Sequence, residues 1–329
     1  MSAAATEEQP TNPQVINVDD DVDSTVGDSD VSAYSASVTS SVLNYQYANG
    51  RRYNSYRNGE YLLPNDETEQ DRLDIFHHVF LLLLDGKLVR APVVKPQQVL
   101  DLGTGTGLWA MDYADENPSA QVIGTDLSPI QPSWVSPNVK FYVEDMEQDW
   151  AYDEAFDLIH MRQLGGSIKD WNKLLKQCYE NLKPGAWVEL QEPATWFSCD
   201  DDTMSKATAS NEYQVLCNEA ARKFGKEINV AHKLKQEAID AGFVDVREEV
   251  MKVPIGPWAK DPKLKEIGRY FLELSTMGIE AYTLGFIGKI LGWSQAECQV
   301  LAAKVKTELR NPRNHIYINT HFISGRKPN

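Results

Sequence analysis

Apolar residues recur along the chain with two periods. Between about 66 and 86, Leu73, Phe76, Val79, Phe80, Leu83 and Leu84 fall on one helical stripe. Asn65 or Asp66 is placed to cap that helix, acids fill its first turn, and Gly86 closes it. From 97 onward short apolar runs alternate with helical patterns. The runs 97–102, 120–126, 139–145, 156–162 and 186–192 predict strands. Helices are predicted over 107–117 and 168–182, the second stopped by Lys183-Pro184-Gly185. Such alternation implies right-handed crossovers and a mostly parallel sheet covered on both faces. Helical patterns at 210–225 and 229–242 lead into a β-branched alternation at 243–256. Residues 262–311 read as helical, with Ser294 and Glu297 forming a capping box, and 315–328 reads as a last strand. A helical block between two strands able to pair antiparallel is expected at a sheet edge, as a lid or substrate wall.

The first 38 residues break this pattern. They are rich in Ser, Thr, Asp and Ala and too poor in large apolar groups to offset ordering entropy, which predicts a disordered acidic tail. A partner-binding segment, for a regulatory protein, is the alternative reading. Of the net charge of −16, eight acids and no Lys or Arg fall in residues 1–50, so the remainder carries −8. That balance argues against direct nucleic-acid binding, which needs a basic face. From Thr39 to Tyr61, five tyrosines interleave with Arg51, Arg52 and Arg57, suggesting a packed cover or a ligand-facing surface. His77 and His78 point about 100° apart on a helix, which suits packing and not joint metal ligation. The four cysteines form no C-x-x-C pair and read as reduced thiols; no metal is expected. The longest apolar run, Val79–Leu84, is too short to span a bilayer, and no secretory signal is visible. A cytoplasmic or nuclear location, with no membrane partner, is expected.

Candidate chemistry centres on the run VLDLGTGTGLWA at 99–110. A strand, a glycine-rich turn and a helix place backbone N–H groups at a helix start, where a ligand can approach closely. A dinucleotide site wants G-x-G-x-x-G, but Leu108 stands where the third glycine belongs; Gly103, Gly105 and Gly107 alternate instead. Asp101 beside the turn disfavours an anionic pyrophosphate and suits a cationic ligand, such as the sulfonium and ammonium of S-adenosylmethionine. Asp126, nineteen residues after Gly107 and followed by Leu127, is positioned to accept from ribose hydroxyls. Asp145 can accept from an adenine amine while Met146 packs on the ring. Arg162 and His160 end the fourth strand, at the ligand-binding edge of a doubly wound sheet; Arg162 is a candidate for a donor or substrate carboxylate, His160 for a base. Trp196 and Phe197 are candidate pocket walls. No dedicated catalytic motif is visible, and in-line methyl transfer requires none.

These features resemble the class I S-adenosylmethionine-dependent methyltransferases over about residues 95–192. A narrower resemblance, to the fungal LaeA-like methyltransferases, is carried by NYQYANGRRYNSYRNGEYLLPNDETEQDRLDIFHHVFLLLLDGKL, by GSIKDWNKLLKQCYENLKPGAWVELQE and by the terminal GRKP. Asn54 departs from the histidine that this family often has there. The resemblance implies an α/β, doubly wound, mostly parallel seven-stranded Rossmann-like sheet. Its sixth and seventh strands would be antiparallel, at 243–253 and 315–325, with a helical cap inserted near the C-terminus. The expected divisions are a tail (1–38), an N-terminal helical cover (39–94), a core (95–253), a cap (254–311) and a final strand (312–329). The implied cofactor is S-adenosyl-L-methionine, with the cover closing over it and Tyr53 touching its methionyl end. The implied activity is methylation of a small molecule, such as a secondary metabolite, at O or N. The alternative is a LaeA-like regulator in a nuclear complex, methylating a protein or acting without turnover. A nicotinamide-dependent reductase is disfavoured by Asp101 and Leu108.

Overall fold

A computed structural model describes residues 45–329 apart from Ser55 and Asn58. The expected acidic tail lies outside these residues. Among the described residues, no helix is long and apolar enough to cross a membrane.

Five strands, β3 (Gln98–Leu102), β4 (Gln121–Asp126), β5 (Val139–Val143), β6 (Phe156–Arg162) and β7 (Leu182–Pro193), form the parallel part of a seven-stranded sheet. Its order is β5-β4-β3-β6-β7-β9-β8, with β9 (Tyr317–Arg326) antiparallel to both β7 and β8 (Val244–Pro254). Pleating sorts each strand between two layers. Val99 and Leu158 pack on Trp109, Ala110 and Tyr113 of helix α2 (Leu108–Glu116). Leu100, Leu102, Ile159 and Met161 face the opposite way, toward Leu174 of α3 (Trp171–Asn181) and Leu234 of α5 (Ala231–Asp240). Burial on both faces explains why these strands read as continuous apolar runs.

A third layer covers the carboxyl edge of the sheet. It comprises α1 (Glu67–Leu83), α4 (Thr208–Phe224) and the helices between β8 and β9. Phe76, Phe80, Tyr213, Phe271, Leu274, Ile279 and Leu301 share one core there. Asp66 caps α1 by accepting from the Glu69 N–H at 3.1 Å.

Three local expectations are revised. The block at 262–311 is interrupted: α6 (Pro262–Tyr282) runs into a π-helical stretch, Thr283–Gly288, and Gly292, at φ +80°, precedes α7 (Gln295–Arg310). Lys183-Pro184-Gly185 does not separate α3 from a later strand; it is a detour inside β7, whose register on β6 shifts between Phe156↔Leu182 and Leu158↔Trp187. The cover is not wholly helical. A hairpin, β1 (Gln46–Ala48) and β2 (Arg51–Tyr53), turns through Asn49 and Gly50, both at positive φ, as Asn-Gly favours.

Candidate active site

Beyond β3 the chain turns through Gly103, Gly105 and Gly107, all at positive φ. Gly107 starts α2, and a Cβ there would sit 2.5 Å from the Phe141 ring. Asp126, ending the neighbouring strand β4, reaches over the turn. Its carboxylate accepts from the Gly105 N–H and the Ser128 N–H, each at 2.9 Å. Burial pushes its pKa up to about 6 against those two hydrogen bonds.

Parallel pairing sets Asp101 beside His160. His160 Nδ1 shares a 2.7 Å hydrogen bond with Asp101, whose other oxygen accepts from the Thr104 hydroxyl at 2.6 Å. Trp109 stacks on the His160 ring at 3.7 Å, only 3° from parallel. The ring is 0% exposed and its Nε2 has no partner, so it supports Asp101 from beneath the site. Arg162, two residues on, is oriented through α1: it donates to His77 Nδ1 at 3.1 Å, and His77 Nε2 meets Asp112 at 2.9 Å. Its guanidinium also lies 4.8 Å over the Phe80 ring. Burial brings the Arg162 pKa down to about 10, opposed by Asp101 and Asp112, and Arg162 has no carboxylate partner among the described residues.

These groups line one cavity of about 970 Å³, open to solvent. Its wall includes Glu69, Asp101, Gly103, Gly105, Asp126, Leu127, Met146, His160 and Arg162, with Tyr61, Pro64 and Asn65 of the cover above. The hairpin seats that cover, since the Arg52 guanidinium donates to the Asn65 carbonyl at 2.7 Å. A smaller cavity of about 380 Å³ shares Tyr61, Leu127, Met146 and Ser167 and adds Asp145 and Ile168. On its other side the first cavity meets a second of about 720 Å³ at Gln163, which lines both. This second cavity is predominantly apolar, with Phe76, Phe197, Tyr213, Phe271, Leu274, Ile279 and Tyr282 in its wall. Gln163 holds φ +58°, a left-handed conformation uncommon for a side-chain-bearing residue.

The profile of a methyltransferase domain family matches residues 75–248. "Methyltransferase pytC" of Aspergillus terreus is 39% identical over 318 residues, covering 96% of this chain and 97% of that protein. The chain belongs to the S-adenosylmethionine-dependent methyltransferases. "Protein-methionine methyltransferase laeA" of Emericella nidulans is 35% identical over 85% of this methyltransferase and 76% of that protein. The solved phosphoethanolamine N-methyltransferase 2 of Haemonchus contortus, in complex with S-adenosyl-L-methionine, is 23% identical, covers 77% of this chain and 53% of that one, and superposes with a TM-score of 0.46.

The residues present fit the methyl donor. The wall carries the carboxylates of Asp101 and Asp126 and, apart from them, the guanidinium of Arg162, a set whose charges complement a ligand with cationic centres and a carboxylate; Glu69, also in the wall, is paired with Arg72.

Of the sequence-predicted donor contacts, Asp101, Gly103, Gly105, Asp126, Leu127, Met146 and Arg162 share the first cavity. Gly107 lies between Thr106 and Leu108 of the wall without being part of it, and its φ of +85° and the nearby Phe141 ring suit a glycine there. Tyr53 sits apart from these residues. It is 5% exposed with its hydroxyl sealed, packs under Lys289 at 3.5 Å, and lines none of the three cavities. Asp145 sits in the smaller cavity, where its carboxylate accepts from the Glu147 N–H and meets Arg57 at 3.4 Å. His160 lines the first cavity and is absent from the apolar one. Phe197 walls the apolar cavity and stacks on Tyr213, whereas Trp196 is 37% exposed and lines neither large cavity. Glu69, Arg72 and Gln163 escaped the sequence reading, and His77, expected only to pack, bonds Arg162 and Asp112. The visible signal for the first two was a charged pair three residues apart, in line with the apolar stripe of α1.

Proposed function

We propose that this methyltransferase alkylates a small, largely apolar acceptor held in the cavity walled by α1, α4, α6 and β9. The observation that carries this reading is the meeting of two unlike cavities at Gln163: one acidic and built on the glycine turn, the other apolar and aromatic. When bound, S-adenosylmethionine supplies an electrophilic methyl group whose bond to the sulfonium is broken in line.

The chain's own residues bind and orient. Asp126 accepts from ribose hydroxyls, Arg162 takes the methionyl carboxylate, and Asp101, fixed by His160 and Thr104, faces the cationic end. Leu127, Met146 and Ile168, with Asp145, would hold the adenine. Tyr61 and Pro64 exclude water from above. Alignment of this kind can lower a barrier by roughly 7–11 kcal/mol. Methylation of an O or N of a secondary metabolite is the substrate class favoured by this cavity, and its apolar character supports it over a polypeptide segment.

Filling the second cavity tests the proposal. Ser275, on α6, lines it and is only partly buried. Ser275→Trp is expected to abolish methyl transfer to small molecules while the affinity for S-adenosylhomocysteine changes less than about twofold, because the donor contacts lie elsewhere. Undiminished transfer in this variant contradicts the assignment.

A further inference from the structure

The apolar cavity contains one charged residue among those lining it, Arg72. It is 6% exposed and lies on α1 one turn after Glu69. One edge of its guanidinium is committed: Nε donates to Glu69 Oε2 at 3.0 Å and Nη2 to Glu69 Oε1 at 2.6 Å. Nη1 has no partner among the described residues, yet it is not one of the unpaired atoms sealed from solvent. Across from it, α6 carries Gly278, where even a Cβ would come within 3.5 Å of Arg72 Cδ; the absent side chain leaves the arginine stem its path along the cavity wall. Burial works to lower the Arg72 pKa, but the charge and hydrogen bonds of Glu69, with Tyr282 and Tyr61, together outweigh it and raise the pKa.

We infer that Arg72 is a specificity-determining residue that binds an anionic oxygen of the acceptor, a carboxylate, phenolate or enolate, through its free guanidinium edge. The inference rests on the acceptor cavity proposed above. A guanidinium edge without a protein partner, on a residue lining an otherwise uncharged cavity, is open to a ligand, and its planar fork matches such oxygens. The two arginines then divide the work, Arg162 facing the donor cavity and Arg72 the acceptor cavity. No Asp or Glu lines the acceptor cavity to repel the anion. Glu69 acts as a positioning residue: it consumes one edge and aims the other.

The test uses the full chain saturated with S-adenosylhomocysteine and two matched probes, 2-naphthoate and 2-naphthamide, titrated by calorimetry. The carboxylate is expected to bind about 10- to 100-fold tighter than the amide, the range of a charge-assisted hydrogen bond in a buried site. Arg72→Gln is expected to erase that preference, and Arg72→Lys to keep part of it, since an ammonium retains charge without the fork. An unchanged S-adenosylhomocysteine affinity in both variants shows that they are folded. Equal binding of the two probes, blocked by Ser275→Trp, would overturn the role of Arg72 and leave the acceptor cavity standing. A preference that survives Arg72→Gln would overturn it too. Failure of both probes to bind the unaltered chain would overturn both readings.

Discussion

Asp126 holds the glycine turn to β4 through Gly105 and is aimed at the donor cavity at the same time. A carboxylate so buried has a pKa near 6, and only its ionised form accepts fully from a ribose diol. The sign follows: above pH 7 the group is charged and ready, whereas below about 6 the free protein binds a proton that the ligand must expel. The dissociation constant for S-adenosylhomocysteine is therefore expected to be flat above pH 7 and to rise by up to about tenfold per pH unit below 6. Asp126→Asn should bind at least about tenfold more weakly at neutral pH and lose this pH dependence. An unaltered profile in the variant would assign the titration elsewhere. Residues such as Asp126 and Asp101 were legible in the sequence because strand ends at the carboxyl edge have a fixed relation to the ligand. Arg72 and His77 were not, because their roles depend on what α1 packs against. The same apolar stripe gives no hint that Arg72 enters one cavity while His77 orients Arg162 in the other.

At the scale of elements, α1 lines both cavities and α6 lines the apolar one, and α6 is held to the chain just after β8 by an unusually close approach. The Gly256 N–H donates to the Gly268 carbonyl at 2.9 Å, and a Cβ on Gly268 would stand 2.2 Å from the Gly256 oxygen. Gly268→Ala sets two effects against each other. Helix propensity favours alanine by about 1 kcal/mol. Overpacking costs roughly 1–3 kcal/mol, and here the struck atom is backbone that cannot swing aside. The overlap is expected to win, with a lower Tm in calorimetry; a stabilised variant would show that α6 is free to shift. The strands and their order were readable because burial on both faces and βα alternation leave few topologies. The π-helical stretch at Thr283–Gly288 and the detour in β7 were not, since both answer to neighbours distant in sequence; Gly285, for instance, lies where a Cβ would be 2.7 Å from the Leu62 carbonyl. The hairpin at Asn49-Gly50 did carry a local signal, the Asn-Gly pair itself.

For the whole molecule, the first cavity gathers around the glycine turn, whereas the apolar cavity, proposed to hold the acceptor, is assembled from α1, the β6–α3 loop, the chain after β7, α4 and α6. That difference explains why the cofactor could be read from the sequence and the acceptor could not. It also locates the central question, which is whether methyl groups leave on a small molecule. The most direct measurement incubates the full chain with S-adenosylmethionine labelled in its methyl group and an extract of the source organism, then separates small molecules from macromolecules. Gly105→Arg, which crowds the donor turn, serves as the control. Label in the small-molecule fraction, lost in that variant, is the expected result. Label confined to a protein band, with none in small molecules, would contradict a small-molecule acceptor and make this chain a protein methyltransferase.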